Sequence, residues 1–224
     1  ELMDNTNEEN YIKLLNNYNS DLSKQVEEKT AHIKSIQNSI ITGMATMVEG
    51  RDNSTGGHIR RTSECVKVFA NDLKWKIPEL SVRFLSNLIK AAPMHDLGKI
   101  AVDDQILRKP GKFTDEEYAQ MKTHAAKGAQ IVEQVLTEVK DEDFKKIAVN
   151  VAHYHHEKWD GSGYPDGLSG EDIPLEARIM ALADVFDALV SKRCYKEAFD
   201  FDRAFKIIEE SLGSHFDPKL GSIF

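Results

Sequence analysis

Six of the eight histidines in this chain, His58, His95, His124, His153, His155 and His156, fall on or beside stretches with helical periodicity in its second part. His32 lies in the N-terminal segment and His215 near the C-terminus. Neutral imidazole is a good ligand for borderline first-row cations, and carboxylate oxygens complete such sites. Suitable carboxylates are at hand. The run Arg178-Ile-Met-Ala-Leu-Ala-Asp184-Val-Phe-Asp187-Ala-Leu-Val190 is apolar almost all round, so at least one of Asp184 and Asp187 must point inward. A lone buried carboxylate is costly unless it is paired, protonated or bound to a cation. Asp96, after Pro93-Met94-His95 and before Leu97-Gly98, poses the same question. Each residue also has a structural reading: Asp96 as a helix cap, Asp184 in a salt bridge to Arg178 or Arg193, any one histidine as a core side chain. Taken together, the set points to metal chemistry.

Helices must position these groups. Apolar residues recur with helical spacing over 57–74, 79–94, 115–137, 141–156, 175–191 and 201–212. Thr114 ahead of Asp115-Glu116-Glu117 predicts a capping box, with Glu117 three residues after the cap. Period-2 strands are absent, although 99–102 could be a short extended piece. The expectation is an all-α domain over 49–224, with a long glycine-rich loop at 157–173. Residues 1–48 contain no proline and one glycine, Gly43. There Leu15, Tyr18, Leu22, Val26, Ile33, Ile36, Ile40, Met44 and Met47 make a narrow stripe, interrupted at Lys29 and Thr30. This predicts a long helix that either pairs in a parallel dimeric coiled coil or packs on its own domain. Because the chain starts at Glu1 rather than Met, we expect a piece of a longer protein, in which this helix links an upstream sensor or receiver to 49–224.

Composition narrows the function classes. Apolar residues make up 41% and charged residues 29% of 224, ordinary for a globular chain. No apolar run approaches the roughly 20 residues that span a bilayer, and the first residues, acidic and polar, do not resemble a signal peptide. Cys65 and Cys194 form no CxxC pair, so a reducing, cytoplasmic setting is expected. The net charge of −8 argues against a nucleic-acid polymer as partner. A phosphate ester would have to be attracted by local charge.

His95-Asp96-Leu97-Gly98-Lys99 resembles the HDxGK signature of the HD phosphohydrolase superfamily. His155-His156-Glu157, followed by Gly163-Tyr164-Pro165, resembles the HHE…GYP signature of its HD-GYP branch, bacterial cyclic-di-GMP phosphodiesterases. Further matches follow in order: Arg51-Asp52, Thr55-Gly-Gly-His58, Lys109-Pro-Gly111, Met121-Lys-Thr-His124, Ala183-Asp184-Val-Phe-Asp187-Ala-Leu189, Arg193-Cys-Tyr-Lys196 and Phe216-Asp-Pro218. The series covers 49–224 and is highly specific.

The resemblance implies a fold, a ligand set and a reaction. An HD-type helical domain would hold two divalent cations, iron or manganese, through His95, Asp96, His124, His155, His156 and Asp184. Asp96 would bridge them, with His58 as a further ligand or substrate contact. A bridged pair activates a shared water near neutral pH. Ser54 stands where some members place a third-cation glutamate, so two cations are expected. Lys99 would neutralise a phosphate oxygen. Tyr164 would form the pocket wall, and Arg193 and Lys196 would meet the other phosphate or a guanine edge. His153 lies outside the family pattern and reads as structural. The implied activity is hydrolysis of cyclic di-GMP to pGpG. The rivals are a hydrolase of another cyclic dinucleotide, such as mixed cyclic GMP-AMP, and a receptor that binds without turnover.

Overall fold

The computed structural model describes residues 2–52, 56–192 and 198–224, and among them the secondary structure is helical, without strands. The expected all-α class is what is found. Helix α1 runs Leu2–Glu49, followed by α2 (His58–Lys76), α3 (Val82–Ala91), α4 (Asp104–Leu107), α5 (Asp115–Val135), α6 (Glu142–Tyr154), α7 (Leu175–Val190), α8 (Phe201–Glu210) and α9 (Pro218–Gly221). The chain divides into two compact units, 1–40 and 41–224. The second takes in the last turns of α1, because Ala45 and Val48 are buried in its core and Ile41 and Met44 pack against it. In the first unit, Leu15, Tyr18, Leu22, Val26, Ile33, Ile36 and Ile40 are all exposed. No helix among the described residues is long and apolar enough to cross a membrane.

Local sequence sets the helix ends. The capping box at Thr114 is formed: its hydroxyl accepts from Glu117 N–H, and the Glu117 carboxylate accepts from Thr114 N–H. Asp141 and Asp200 cap α6 and α8 in the same Asx manner. The helix starts at α5, α6, α7 and α8 fall within a residue of the periodic stretches. The stretch 79–94 is shorter than expected as α-helix. Pro93, which has no N–H to donate, falls just past its end, and Ala92–Met94 tightens into a 3-10 turn.

The extended piece expected at 99–102 is not there. Leu97–Ala101 is a 3-10 turn, closed by Lys99 N–H to Asp96 O at 3.0 Å and Val102 N–H to Lys99 O at 3.1 Å. The reason is a close backbone approach. A Cβ added to Gly98 would lie 1.8 Å from the His124 carbonyl oxygen and 2.5 Å from Gly128 N. Only glycine lets this turn lie flat on α5, and that contact brings Asp96 beside His124. α5 also packs on α6, while α2 and α6 both pack on α7, whose Ile179, Met180 and Leu182 are fully buried.

Gly98→Ala is therefore expected to cost about 3 kcal/mol by overpacking, read as a lower urea midpoint. An unchanged midpoint would mean the turn can withdraw from α5 freely.

Candidate metal centre

Five elements of the second unit converge on one point. His58 opens α2, His95 and Asp96 lie between the two 3-10 turns, His124 is in α5, His155 and His156 follow α6, and Asp184 is in α7. His58, His95, Asp96, His124 and His155 are buried, and His156 and Asp184 are half-buried. Their ligand atoms fall into two groups. Asp96, His124, His155 and His156 make one; His58, His95 and Asp184 make the other, with the atoms of each group within 4.8 Å of one another.

Asp96 faces both groups. Its Oδ1 lies 3.4 Å from His124 Nε2 and 3.8 Å from His155 Nε2. Its Oδ2 lies 3.5 Å from His95 Nε2 and 3.7 Å from His58 Nε2. One carboxylate thus gives an oxygen to each side.

The backbone fixes which imidazole nitrogen is free. Nδ1 of His95 donates to Ala92 O at 2.8 Å, Nδ1 of His124 to Met121 O at 2.8 Å, and Nδ1 of His155 to Val151 O at 3.0 Å. A nitrogen facing a carbonyl must carry the proton, so each neutral ring leaves Nε2 bare. His58 completes the pattern with Nδ1 on Asp187 Oδ2 at 2.8 Å. The Nε2 atoms then meet in pairs: those of His58 and His95 at 3.2 Å, those of His124 and His155 at 3.4 Å. Two lone pairs at that distance repel unless a proton or a cation lies between them.

Electrostatics point the same way. Burial lowers the pKa of His124, and burial together with neighbouring imidazoles holds His155 and His156 well below their ordinary value. Burial favours the neutral form of Asp96, but the Lys99 ammonium holds it well below the carboxylate range; His58 likewise lowers Asp184. Neutral imidazoles beside ionised carboxylates are the protonation states that cation binding requires. His58 is the exception. Burial works against its charge, yet hydrogen bonds to Asp187 and Asp96 and the charge of Asp184 raise it to about 10. The negative surplus around it is what a divalent cation on Nε2 would balance. The donor set therefore fits two cations.

Supporting residues hold the ligands. Asp187, one turn beyond Asp184 on α7, takes Arg61 Nε at 2.5 Å and Ser191 Oγ at 3.1 Å besides His58. Burial favours its neutral acid, but His58 and Arg61 keep it ionised, with the pKa lowered to about 2. Such outer carboxylates orient a ligand imidazole and raise its basicity. Lys99 is ion-paired within the site, with Nζ 2.7 Å from Asp96 Oδ2 and 3.1 Å from Asp52 Oδ2. Two other structural alternatives are not formed among the described residues, which do not include Arg193. Asp96 caps nothing with its side chain, and Arg178 pairs with Asp217 at 2.7 Å rather than with Asp184.

The glycine-rich loop closes the site on one side. The Tyr164 ring lies 4.7 Å from that of His156, centroid to centroid, and its N–H donates to His156 O. Glu157, almost fully buried, anchors the loop: its Oε1 accepts from Asp166 and Gly167 N–H at 2.8 and 3.1 Å. A Cβ on Gly163 would come within 2.6 Å of the Glu157 backbone, so the GYP glycine is a packing requirement. His153 stands apart, 3.3 Å from Asp166 Oδ2. Arg193 and Lys196, expected to touch substrate, lie outside the described residues, as do Ser54 and Cys194.

Four residues at the site had no role from sequence. Asp52 and Glu157 stood inside motif runs but gave no sign of what they hold. Lys122 stood inside the Met121–His124 run without a role and Tyr118 was not singled out; they flank Tyr164, with Lys122 Nζ 5.0 Å from the Tyr118 ring centre and 5.9 Å from that of Tyr164. Their i, i+4 spacing on α5, the helix that carries His124, was the available signal.

Asp187→Ala is expected to weaken Mn(II) binding by about 10–100-fold through the loss of its hold on His58. Calorimetric titration of the full chain measures this; parent affinity would mean the ring needs no outer partner.

Comparison with known proteins agrees with this geometry. The HD domain family model matches residues 42–220. A cyclic di-GMP phosphodiesterase of Vibrio cholerae serotype O1 is 45% identical over 203 residues, which cover 89% of this chain and 41% of that protein. A 3′3′-cGAMP-specific phosphodiesterase 2 of the same organism is 36% identical over 91% of this chain and 37% of its own length. Among solved structures, a cyclic GMP-AMP specific phosphodiesterase of V. cholerae shares the fold at a TM-score of 0.59 and 21% identity, over 83% of this chain and 47% of that one. The chain thus spans less than half the length of these relatives. With its HD and GYP motifs in place and its helices in the same arrangement, the chain belongs to the HD domain family, in the HD-GYP branch.

Proposed function

We propose that this chain is a metal-dependent phosphodiesterase that hydrolyses the 3′–5′ phosphodiester bonds of cyclic di-GMP, giving linear pGpG. The observation that carries the reading is the single carboxylate, Asp96, offering one oxygen to each of two buried ligand groups. His124, His155 and His156 would hold one cation and His58, His95 and Asp184 the other, iron or manganese being the choice that suits an imidazole and carboxylate set without thiolate. When bound, such a pair supplies an activated water and screens charge on the reacting phosphate.

The chain's own residues do the rest. Lys99 spends two of its three N–H donors on Asp96 and Asp52, which leaves one for a phosphate oxygen. Burial would strip the ammonium of its charge, but Asp96 and Asp52 more than offset that and raise its pKa. It therefore stays cationic throughout the working range. Tyr164 offers a ring face beside His156 for a guanine or a phosphate contact. Arg193 and Lys196 are proposed for the second phosphate or a guanine edge. In a chain of net charge −8, these cations and the metal pair would make one locally positive cleft. Since cyclic di-GMP is a bacterial second messenger, and Cys65 is a free thiol, the cytoplasm is the proposed location.

The relative that acts on 3′3′-cGAMP favours one second reading, a preference for the mixed dinucleotide. Following pGpG release from cyclic di-GMP beside a parallel assay with 3′3′-cGAMP separates the two. Saturable binding without product would sink the enzyme reading in favour of a receptor. Asp96→Ala is expected to lose both the bound metal and more than 99% of activity, since it removes a ligand from each group; activity near the parent's would refute the assignment.

We also propose residues 1–48 as a parallel dimeric coiled coil linking 49–224 to an upstream domain. The support is the stripe from Leu15 to Ile40, exposed along its length. Light scattering at micromolar concentration is expected to give twice the chain mass, and a monomer would contradict it.

A further inference from the structure

Helix α2 begins without a cap of its own. Its N-cap residue is Gly57, which has no side chain to accept a hydrogen bond, and its first turn carries no acidic residue. The first N–H groups of a helix have no partner within it. Here water does little to help, because His58 is 8% and Ile59 2% exposed.

The missing acceptor comes from α1. Glu49, the last residue of that helix and itself 8% exposed, places Oε1 2.5 Å from His58 N and 3.4 Å from Ile59 N. A carboxylate in that position also meets the positive end of the α2 dipole. What it holds is the residue whose Nε2 lies 3.4 Å from Asp184 Oδ1 and 3.2 Å from His95 Nε2. Two carboxylates thus fix His58 from opposite ends. Asp187 orients the ring through Nδ1, and Glu49 anchors the backbone. Asp187 stands in α7, within the site. Glu49 stands at the end of α1, where nothing in the reaction calls for a buried acid.

We propose that Glu49 is a positioning residue for His58, setting the His58–His95–Asp184 group for its cation from the end of α1. The inference rests on the two-cation reading above. It also gives α1 a physical handle on the site: a displacement of its last turn moves the acceptor of the His58 N–H, and with it the imidazole.

The test is calorimetric titration of the full chain with Mn(II), with folding followed by circular dichroism. The parent is expected to take two ions. Glu49→Ala should keep one at parent affinity and bind the other at least tenfold more weakly, in line with loss of an outer-shell partner. Glu49→Gln keeps an oxygen that can accept from His58 N–H and should recover most of the loss. With cyclic di-GMP, Glu49→Ala should lower kcat and leave KM nearly unchanged, because the Tyr164 side is untouched. Two ions at parent affinity in Glu49→Ala would overturn the proposal, as would equal loss of both ions or no recovery in Glu49→Gln. If Glu49→Ala does not fold, Glu49→Asp, one methylene too short to reach, takes its place: selective loss of one ion supports the proposal, and parent behaviour or failure to fold overturns it. A parent that takes fewer than two ions removes the two-cation reading itself.

Discussion

Asp96 turns one oxygen toward His124 and His155 and the other toward His58 and His95, and the rest of the second unit is organised to make that possible. The carboxylate sits in a tight turn that must lie against α5, hence Gly98 over the His124 carbonyl. Its neighbours come from α2, α5, α7 and the end of α6, elements far apart in the chain. Burying this much charge is expensive. The arrangement offsets it by giving five of the seven candidate ligands a second hold. Backbone carbonyls take Nδ1 of His95, His124 and His155, Asp187 takes that of His58, and Lys99 joins Asp96 to Asp52.

This double anchoring explains the tautomers and leaves the free nitrogens facing inward. A lone histidine in a core needs one partner for each nitrogen. Here each of these four rings has one nitrogen satisfied by protein and one turned to another imidazole, a pattern suited to cation binding. The GYP loop follows the same logic at lower cost. Glu157 holds its backbone and Gly163 lets it lie on the preceding segment, so that Tyr164 comes to rest beside His156.

Much of this was legible in the sequence, for reasons that can be named. The helices of the second unit were legible from apolar spacing and, for α5, from Thr114 at its start; the caps Asp141 and Asp200 show only in the structure. The histidines and Asp184 were visible because buried polar residues on apolar helices need a reason. The division of ligands into two groups was not legible, since it depends on which Asp96 oxygen faces which helix. Nor were the roles of Asp52, Glu49 and Glu157, whose partners are backbone amides or a lysine brought near only by folding. The 3-10 turn at Leu97–Ala101 was not legible either, because Gly98 answers to α5 rather than to local propensity.

The central claim is that one carboxylate joins two cation sites. Low-temperature electron paramagnetic resonance of the full chain loaded with Mn(II) tests it most directly, since two ions sharing Asp96 must be magnetically coupled. The account predicts the multiline spectrum of an exchange-coupled pair, collapsing to the six-line signal of an isolated ion or to none in Asp96→Ala. An isolated-ion spectrum from the fully loaded parent would contradict it.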